Sequence, residues 1–231
     1  MRITVLLLAP ALLLAGCDLP SPVGGGAGEW VLTPEEAAQG FTEVVRAVEP
    51  VAERECRRYG TVRNCDFLIA VDPNPRAQPN AFQSVDEQGR PVLTFTASLI
   101  GSVHNADELA FVMGHEAAHH IANHLERQRR NSADAAEIFG GLATLTGGGS
   151  GDVERAREIG AVVGARSYAK EFELEADKLG TVITWRAGYD PLVGAQFFTR
   201  LPDPGDKFLA SHPPNKARMD LVASTVRSLG G

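Results

Sequence analysis

Cysteine is scarce: three in 231 residues, too few for a disulfide-dense scaffold. The count is odd, so at least one cysteine does something other than pair within the chain. Basic residues are outnumbered, 22 Lys plus Arg against 29 Asp plus Glu, for a formal charge of −7. That balance argues against a protein that wraps nucleic acid, because phosphate binding wants a basic surface. Beyond the N-terminal stretch no segment approaches 18 consecutive apolar residues, which excludes membrane-spanning helices there. A glycine run, Gly147 to Gly149 followed by Ser150-Gly151, lacks the Gly-Lys-Ser/Thr ending of a phosphate loop, which excludes nucleotide binding at that loop. What is present is a chain 44% hydrophobic, too apolar to be wholly disordered, and long enough for one domain with a short extension.

The first 17 residues read MRITVLLLAPALLLAGC, one positive charge followed by a short apolar run from Ile3 to Ala15. As a helix that run rises about 20 Å, short of the ~30 Å hydrocarbon core, so it reads as a secretory signal over residues 1–16. Leu14-Ala15-Gly16-Cys17 resembles the lipobox of bacterial lipoproteins, which implies cleavage before Cys17 and a lipid on its sulfur. Cleavage removes Arg2 and no acid, leaving a net charge of −8. Cys56 and Cys65 then remain as an even pair in an oxidising compartment, and a disulfide between them is expected. Asp18 resembles the inner-membrane retention signal of enterobacterial lipoproteins; outer-membrane sorting stays open. Residues 17–33, rich in Pro, Gly and Ser, read as a flexible lipid-anchored tether, with residues 34–231 as the folded domain.

Along that domain, Thr33 with Pro34 and Glu36 makes a capping-box signal, and apolar residues recur at helical spacing to about Glu55, with Pro50 placed to kink or divide the helix. The run from Phe67 to Val71 reads as a strand. Phe82–Val85 and Pro91–Ala97 flank Asp86-Glu87-Gln88-Gly89 as a hairpin. A long helix is expected from Ala106 to about Arg130, capped by Asn105. Further helices are expected from about Val153 through Trp185, from Pro191 to Leu201 and from Pro214 to Leu229. The fold class is α+β, helix-dominated, with a small sheet.

His115-Glu116-Ala117-Ala118-His119 falls in the middle of the long helix. Histidines four apart leave the same face, so both Nε2 atoms can reach one Zn²⁺ at ~2.0–2.1 Å. Glu116 projects beside that metal and can take the proton of a zinc-bound water. Phe111 to Gly114, just ahead, mark a largely buried helix, where charged groups need partners or a metal. A third ligand must come from elsewhere. Glu171-Phe172-Glu173-Leu174-Glu175-Ala176-Asp177 is the best candidate, with Glu173 and Asp177 on one face, but spacing alone does not choose between Glu173 and Glu175.

Several segments together resemble the M48 family of zinc metallopeptidases, which includes the CAAX prenyl proteases and periplasmic lipoprotein peptidases. They are Asn80-Ala81-Phe82; Asp107 to Ala110 with Val112 to His119; Glu173 to Gly180; Gly188 to Pro191; and Ser211-His212-Pro213-Pro214 with Arg218. The resemblance implies a gluzincin-like fold with the sheet beside the active-site cleft. It implies one Zn²⁺ per chain, held by His115, His119 and Glu173, with Asp177 and Arg218 supporting the ligands. It places His212 at the cleft, either donating to the oxyanion or binding zinc as a fourth ligand. The implied activity is endopeptidase action on unfolded or misfolded cell-envelope proteins, with Glu116 as general base, at the periplasmic face of a bacterial membrane. The alternative is an envelope chaperone or assembly factor that uses the same cleft, its proteolysis latent or gated by His212 until a regulatory envelope partner displaces it. His120 and His124 share a face turned about 100° from the His115/His119 face and read as surface or second-site histidines; Trp185, Phe197 and Phe198 read as core.

Overall fold

A computed structural model describes residues 33–167, 169–203 and 213–230. Its elements are α1 (Pro34–Tyr59), β1 (Leu68–Asp72), β2 (Ala81–Val85), β3 (Pro91–Thr96), α2 (Ala97–Ile100), α3 (Ala106–Ile121), α4 (His124–Leu145), α5 (Ser150–Ser167), α6 (Ala169–Arg186), α7 (Pro191–Gly194), a 3₁₀ segment (Ala195–Arg200) and α8 (Asn215–Leu229). Helix dominates, with one small mixed sheet. The signal, the tether up to residue 32 with Cys17, and His212 lie outside the described residues.

Helix α1 begins at the Thr33 capping box, with the Thr33 amide donating to Glu36 Oε2 at 2.8 Å and the Glu36 amide to Thr33 Oγ1 at 3.3 Å. Pro50 does not divide it. The carbonyl left without a donor, that of Arg46, lies on the exposed face where water can serve it. The opposite face buries Val44, Val48, Val51, Ala52 and Cys56. Gly60, at φ 69°, closes the helix in the left-handed region. Cys56 at its end is bridged to Cys65, with Cα atoms 5.7 Å apart, and so leads the chain into β1.

The sheet order is β1-β3-β2. β2 and β3 form the antiparallel hairpin, its turn held by Asp86 Oδ1, which accepts from the Gln88 and Arg90 amides. β1 runs parallel to β3 on the other side. Among the described residues β2 is therefore an edge strand.

Helix α3 is the spine of the domain, with twelve of its sixteen residues buried. Asn105 caps it, accepting from the Glu108 amide at 2.9 Å. Buried Glu108 then accepts both Arg200 nitrogens at 2.6 Å, tying α3 to the end of the 3₁₀ segment. One long helix to Arg130 is not what forms. α3 ends at Ile121, Asn123 adopts φ 58° and ψ 38°, and α4 leaves in a new direction. Asn is among the few side chains that tolerate this region, so the break is written in one residue.

α4 and α5 form an antiparallel helical hairpin joined by the glycine-rich loop. Small residues let the two helices pack closely: a Cβ on Gly160 would lie 2.4 Å from the Ala135 carbonyl oxygen. The expected helix from Pro191 to Leu201 is split into α7 and the tighter 3₁₀ segment, which sets Phe198 edge-on against Phe111 at 5.4 Å. Phe198 is buried and Phe197 partly so, whereas Trp185 is 38% exposed and not core. No helix among the described residues is long and apolar enough to cross a membrane.

Candidate metal centre

The site forms where α6 crosses α3. Gly114 and Gly180 meet at the crossing: a Cβ on Gly114 would sit 2.9 Å from the Gly180 carbonyl oxygen, and one on Gly180 would sit 2.9 Å from the His115 amide nitrogen. Only hydrogen at both positions lets the two backbones approach this closely. The contact lies one residue from His115, and seven residues back along α6 is Glu173.

Helical spacing puts the His115 and His119 rings together, their Nε2 atoms 3.0 Å apart. Glu173 reaches across from α6, with Oε2 3.5 Å from His115 Nε2 and Oε1 3.4 Å from His119 Nε2. Ligand atoms around a tetrahedral zinc at its usual bond lengths lie about 3.3 Å from one another. The three donors match that spacing, and two imidazoles with a carboxylate is a donor set zinc takes, so the residues fit the ion. Among the described residues this is the cluster that can hold a metal.

Behind the donors the support is charged and buried. Asp177, at 0% exposure, accepts from His115 Nδ1 at 3.0 Å and from Arg218 Nε and Nη2 at 2.7 Å each. Burial alone would raise the Asp177 carboxyl; the hydrogen bonds from Arg218 and His115 outweigh it and hold the group below the usual carboxylate range. Burial would likewise lower the His115 imidazole, but hydrogen bonds to Asp177 and Glu173 push it up to about 10. Arg218 stacks on Phe198 with Cζ 3.5 Å from the ring centroid and lies 3.5 Å from Glu173 Oε2.

A model of peptidase family M48 matches residues 45–226. The chain belongs to peptidase family M48. With the His115, His119 and Glu173 cluster, that membership makes it a metalloenzyme. A Vibrio cholerae protein named "Putative beta-barrel assembly-enhancing protease" is 37% identical over 214 residues, covering 85% of this chain and 43% of that protein. The Escherichia coli K12 "Beta-barrel assembly-enhancing protease" is 29% identical over 128 residues, covering 50% and 26%. The Yersinia pestis protein of the same name is 25% identical over 230 residues, covering 90% and 47%. The chain spans less than half the length of these curated relatives.

In this M48 chain the two glutamates left open by spacing separate cleanly. Glu173 faces the histidines, and Glu175 lies on the other side of them, accepting from His124 Nε2 at 3.1 Å and Arg127 Nη1 at 2.7 Å. Glu116 is half-buried and lines the cleft with His115, His119, Glu173 and the β2 residues Ala81, Phe82 and Gln83. His120 and His124 are not surface histidines. His120 is buried, its Nε2 donating to the Asn64 carbonyl at 2.7 Å, which ties α3 to the disulfide loop. Burial lowers its pKa. His124 is 3% exposed and its Nδ1 lies 2.9 Å from Nδ1 of His119. Burial pushes it down to about 4 despite the hydrogen bond to Glu175. The helix break at Asn123 is the reason: with a continuous helix His124 would point away, and with the break it turns back over His119. An Asn just beyond the last helical turn was the available signal.

Proposed function

We propose that this chain is a zinc-dependent endopeptidase acting on unfolded or misfolded cell-envelope proteins. The observation that carries it is the convergence of His115, His119 and Glu173 beside Glu116 in a cleft whose wall is the edge strand β2. Bound there, zinc would supply a Lewis acid that acidifies water and polarises a carbonyl. His115 and His119 would hold the ion through Nε2, with Asp177 fixing the His115 ring. Glu116 takes the proton from the attacking water and delivers it to the departing nitrogen. By the family resemblance His212 either donates to the oxyanion or binds the metal as a fourth ligand. Arg218 neutralises Asp177 and orients it.

Strand β2 pairs with β3 on one side, and Ala81, Phe82 and Gln83 border the cleft. An extended peptide can add to such an edge through main-chain hydrogen bonds, which requires a substrate segment free of its own fold. A hollow of about 240 Å³ beside Glu116, lined by Leu99, Phe111, Val112, Phe197, Phe198 and Leu201, suits an apolar side chain next to the scissile bond. The relatives are named for enhancing β-barrel assembly, and we take barrel precursors with unpaired strands, which expose such segments, as the substrate class. In this reading residues 1–16 are a signal peptide, Cys17 carries lipid, residues 17–33 are a tether and residues 34–231 are the peptidase domain on the periplasmic face of a bacterial membrane.

The test is digestion of an unfolded protein such as casein by the full chain, with Glu116→Gln as control. The variant should keep its zinc and lose about 10²–10⁴-fold in rate. Undiminished cleavage by Glu116→Gln would remove Glu116 as the base, and client binding with no turnover by the parent would favour a chaperone role.

A further inference from the structure

An imidazole that gives one nitrogen's lone pair to a metal carries its hydrogen on the other, and that hydrogen needs an acceptor. For His115 the acceptor is Asp177. For His119 the atom in reach of Nδ1 is Nδ1 of His124, at 2.9 Å. Two facing ring nitrogens share one hydrogen, so one donates and the other accepts.

The rest of His124's surroundings decides which. Its Nε2 lies 3.1 Å from Glu175 Oε2, an oxygen that also accepts from Arg127 Nη1 at 2.7 Å. An ionised carboxylate only accepts, so Nε2 of His124 carries a hydrogen. A ring with one hydrogen then has its lone pair at Nδ1, and His119 is the donor. The lone pair of His119 is left at Nε2, the atom that faces His115 and Glu173. The ring of His124 is held in place as well. It stacks on Phe172 at 4.6 Å and 15°, and the Arg127 guanidinium lies 4.4 Å from the centroid of that same ring. Phe172 directly precedes Glu173, so the second histidine ligand and the carboxylate ligand are braced against one another.

We propose that His124 is a positioning residue for the metal: by accepting the Nδ1 hydrogen of His119 and donating its own to Glu175, it locks His119 in the tautomer that offers Nε2 to a cation. The inference rests on the reading of His115, His119 and Glu173 as zinc ligands.

The test measures zinc affinity of the full chain by competition with a chromophoric chelator, for the parent, His124→Phe and His124→Asn. Phe keeps the stack on Phe172 and lacks both nitrogens. Asn puts an amide oxygen near the Nδ1 position and restores the acceptor. His124→Phe should bind zinc about 10–100-fold more weakly, and His124→Asn should recover most of that loss. Long-range ¹H–¹⁵N spectra of the zinc-loaded parent should place the His119 hydrogen on Nδ1. Parent-like affinity in His124→Phe, or a His119 hydrogen on Nε2, overturns the proposal. So does a lowered thermal midpoint of both metal-stripped variants with no difference between their zinc affinities, the mark of a merely structural role. A parent that binds no zinc overturns the metal reading, and this inference with it; a parent that binds zinc beside an unaffected Phe variant overturns the His124 role alone.

Discussion

Arg218→Met removes the charge that the metal pocket leans on most. Asp177 is fully buried, and two of the three hydrogen bonds its carboxylate accepts, both at 2.7 Å, come from Arg218. Truncating one partner of a buried ion pair leaves the other charge desolvated, at a cost of about 3–5 kcal/mol. The stack of Arg218 on Phe198 is lost as well, although the methionine stem refills part of that contact. For a domain of this size 1 kcal/mol shifts the thermal midpoint by about 2–4 °C, so the metal-stripped variant should melt roughly 6–20 °C below the parent. Saturating zinc should recover part of the loss, because two carboxylates then face a divalent ion in place of one imidazolium. The pH dependence has a definite sign. Asp177 is held below the usual carboxylate range, so its contribution is present above the ordinary carboxylate pKa and is lost as pH falls through the lowered one. Without Arg218 that loss begins at higher pH, and the acid-unfolding midpoint should rise. The measurements are thermal and acid denaturation of metal-stripped and zinc-loaded protein, with Asp177→Asn/Arg218→Met completing a double-mutant cycle. A metal-free loss below about 1 kcal/mol, or a cycle with no coupling, would refute the dependence of Asp177 on Arg218.

Three further outcomes are expected. Gly180→Ala forces a methyl against the His115 backbone at 2.9 Å, so α6 must shift; it should cost about 1–3 kcal/mol in urea denaturation and weaken zinc binding, and parent-like affinity would mean the crossing is looser than drawn. Replacing Cys56 and Cys65 with Ser opens a short loop and should lower stability by about 2–3 kcal/mol, read from the urea midpoint under oxidising conditions. Zinc must expel the proton that His115, at about 10, holds near neutral pH, so calorimetry at pH 7.5 in buffers of different ionisation enthalpy should find about one proton released per zinc, with affinity climbing as pH rises; binding without proton release would contradict this.

Local order was legible in the chain. Capping residues located the starts of α1 and α3, Asp86 to Gly89 located the hairpin, and the four-residue step from His115 to His119 placed both rings on one face. These features depend on neighbours a few residues away, and helix and strand periods carry them directly. Where one residue set a direction the periodicity was misleading. Asn123 broke the helix after α3 and made His124, expected as a surface or second-site histidine, a buried neighbour of His119.

Three elements therefore belong to the sequence alone: the paired histidines, Glu116 between them, and the acidic segment that must supply a third donor. Spacing leaves that acid open and the family resemblance points to Glu173; what only the tertiary structure decides is the rotation of α6 that brings Glu173 beside the histidines. Glu173 and Glu175 are two residues apart, so they leave opposite sides of α6, and spacing cannot say which side meets α3. The close crossing at Gly114 and Gly180 sets that rotation, turning Glu173 and Asp177 toward His115 and leaving Glu175 to His124 and Arg127.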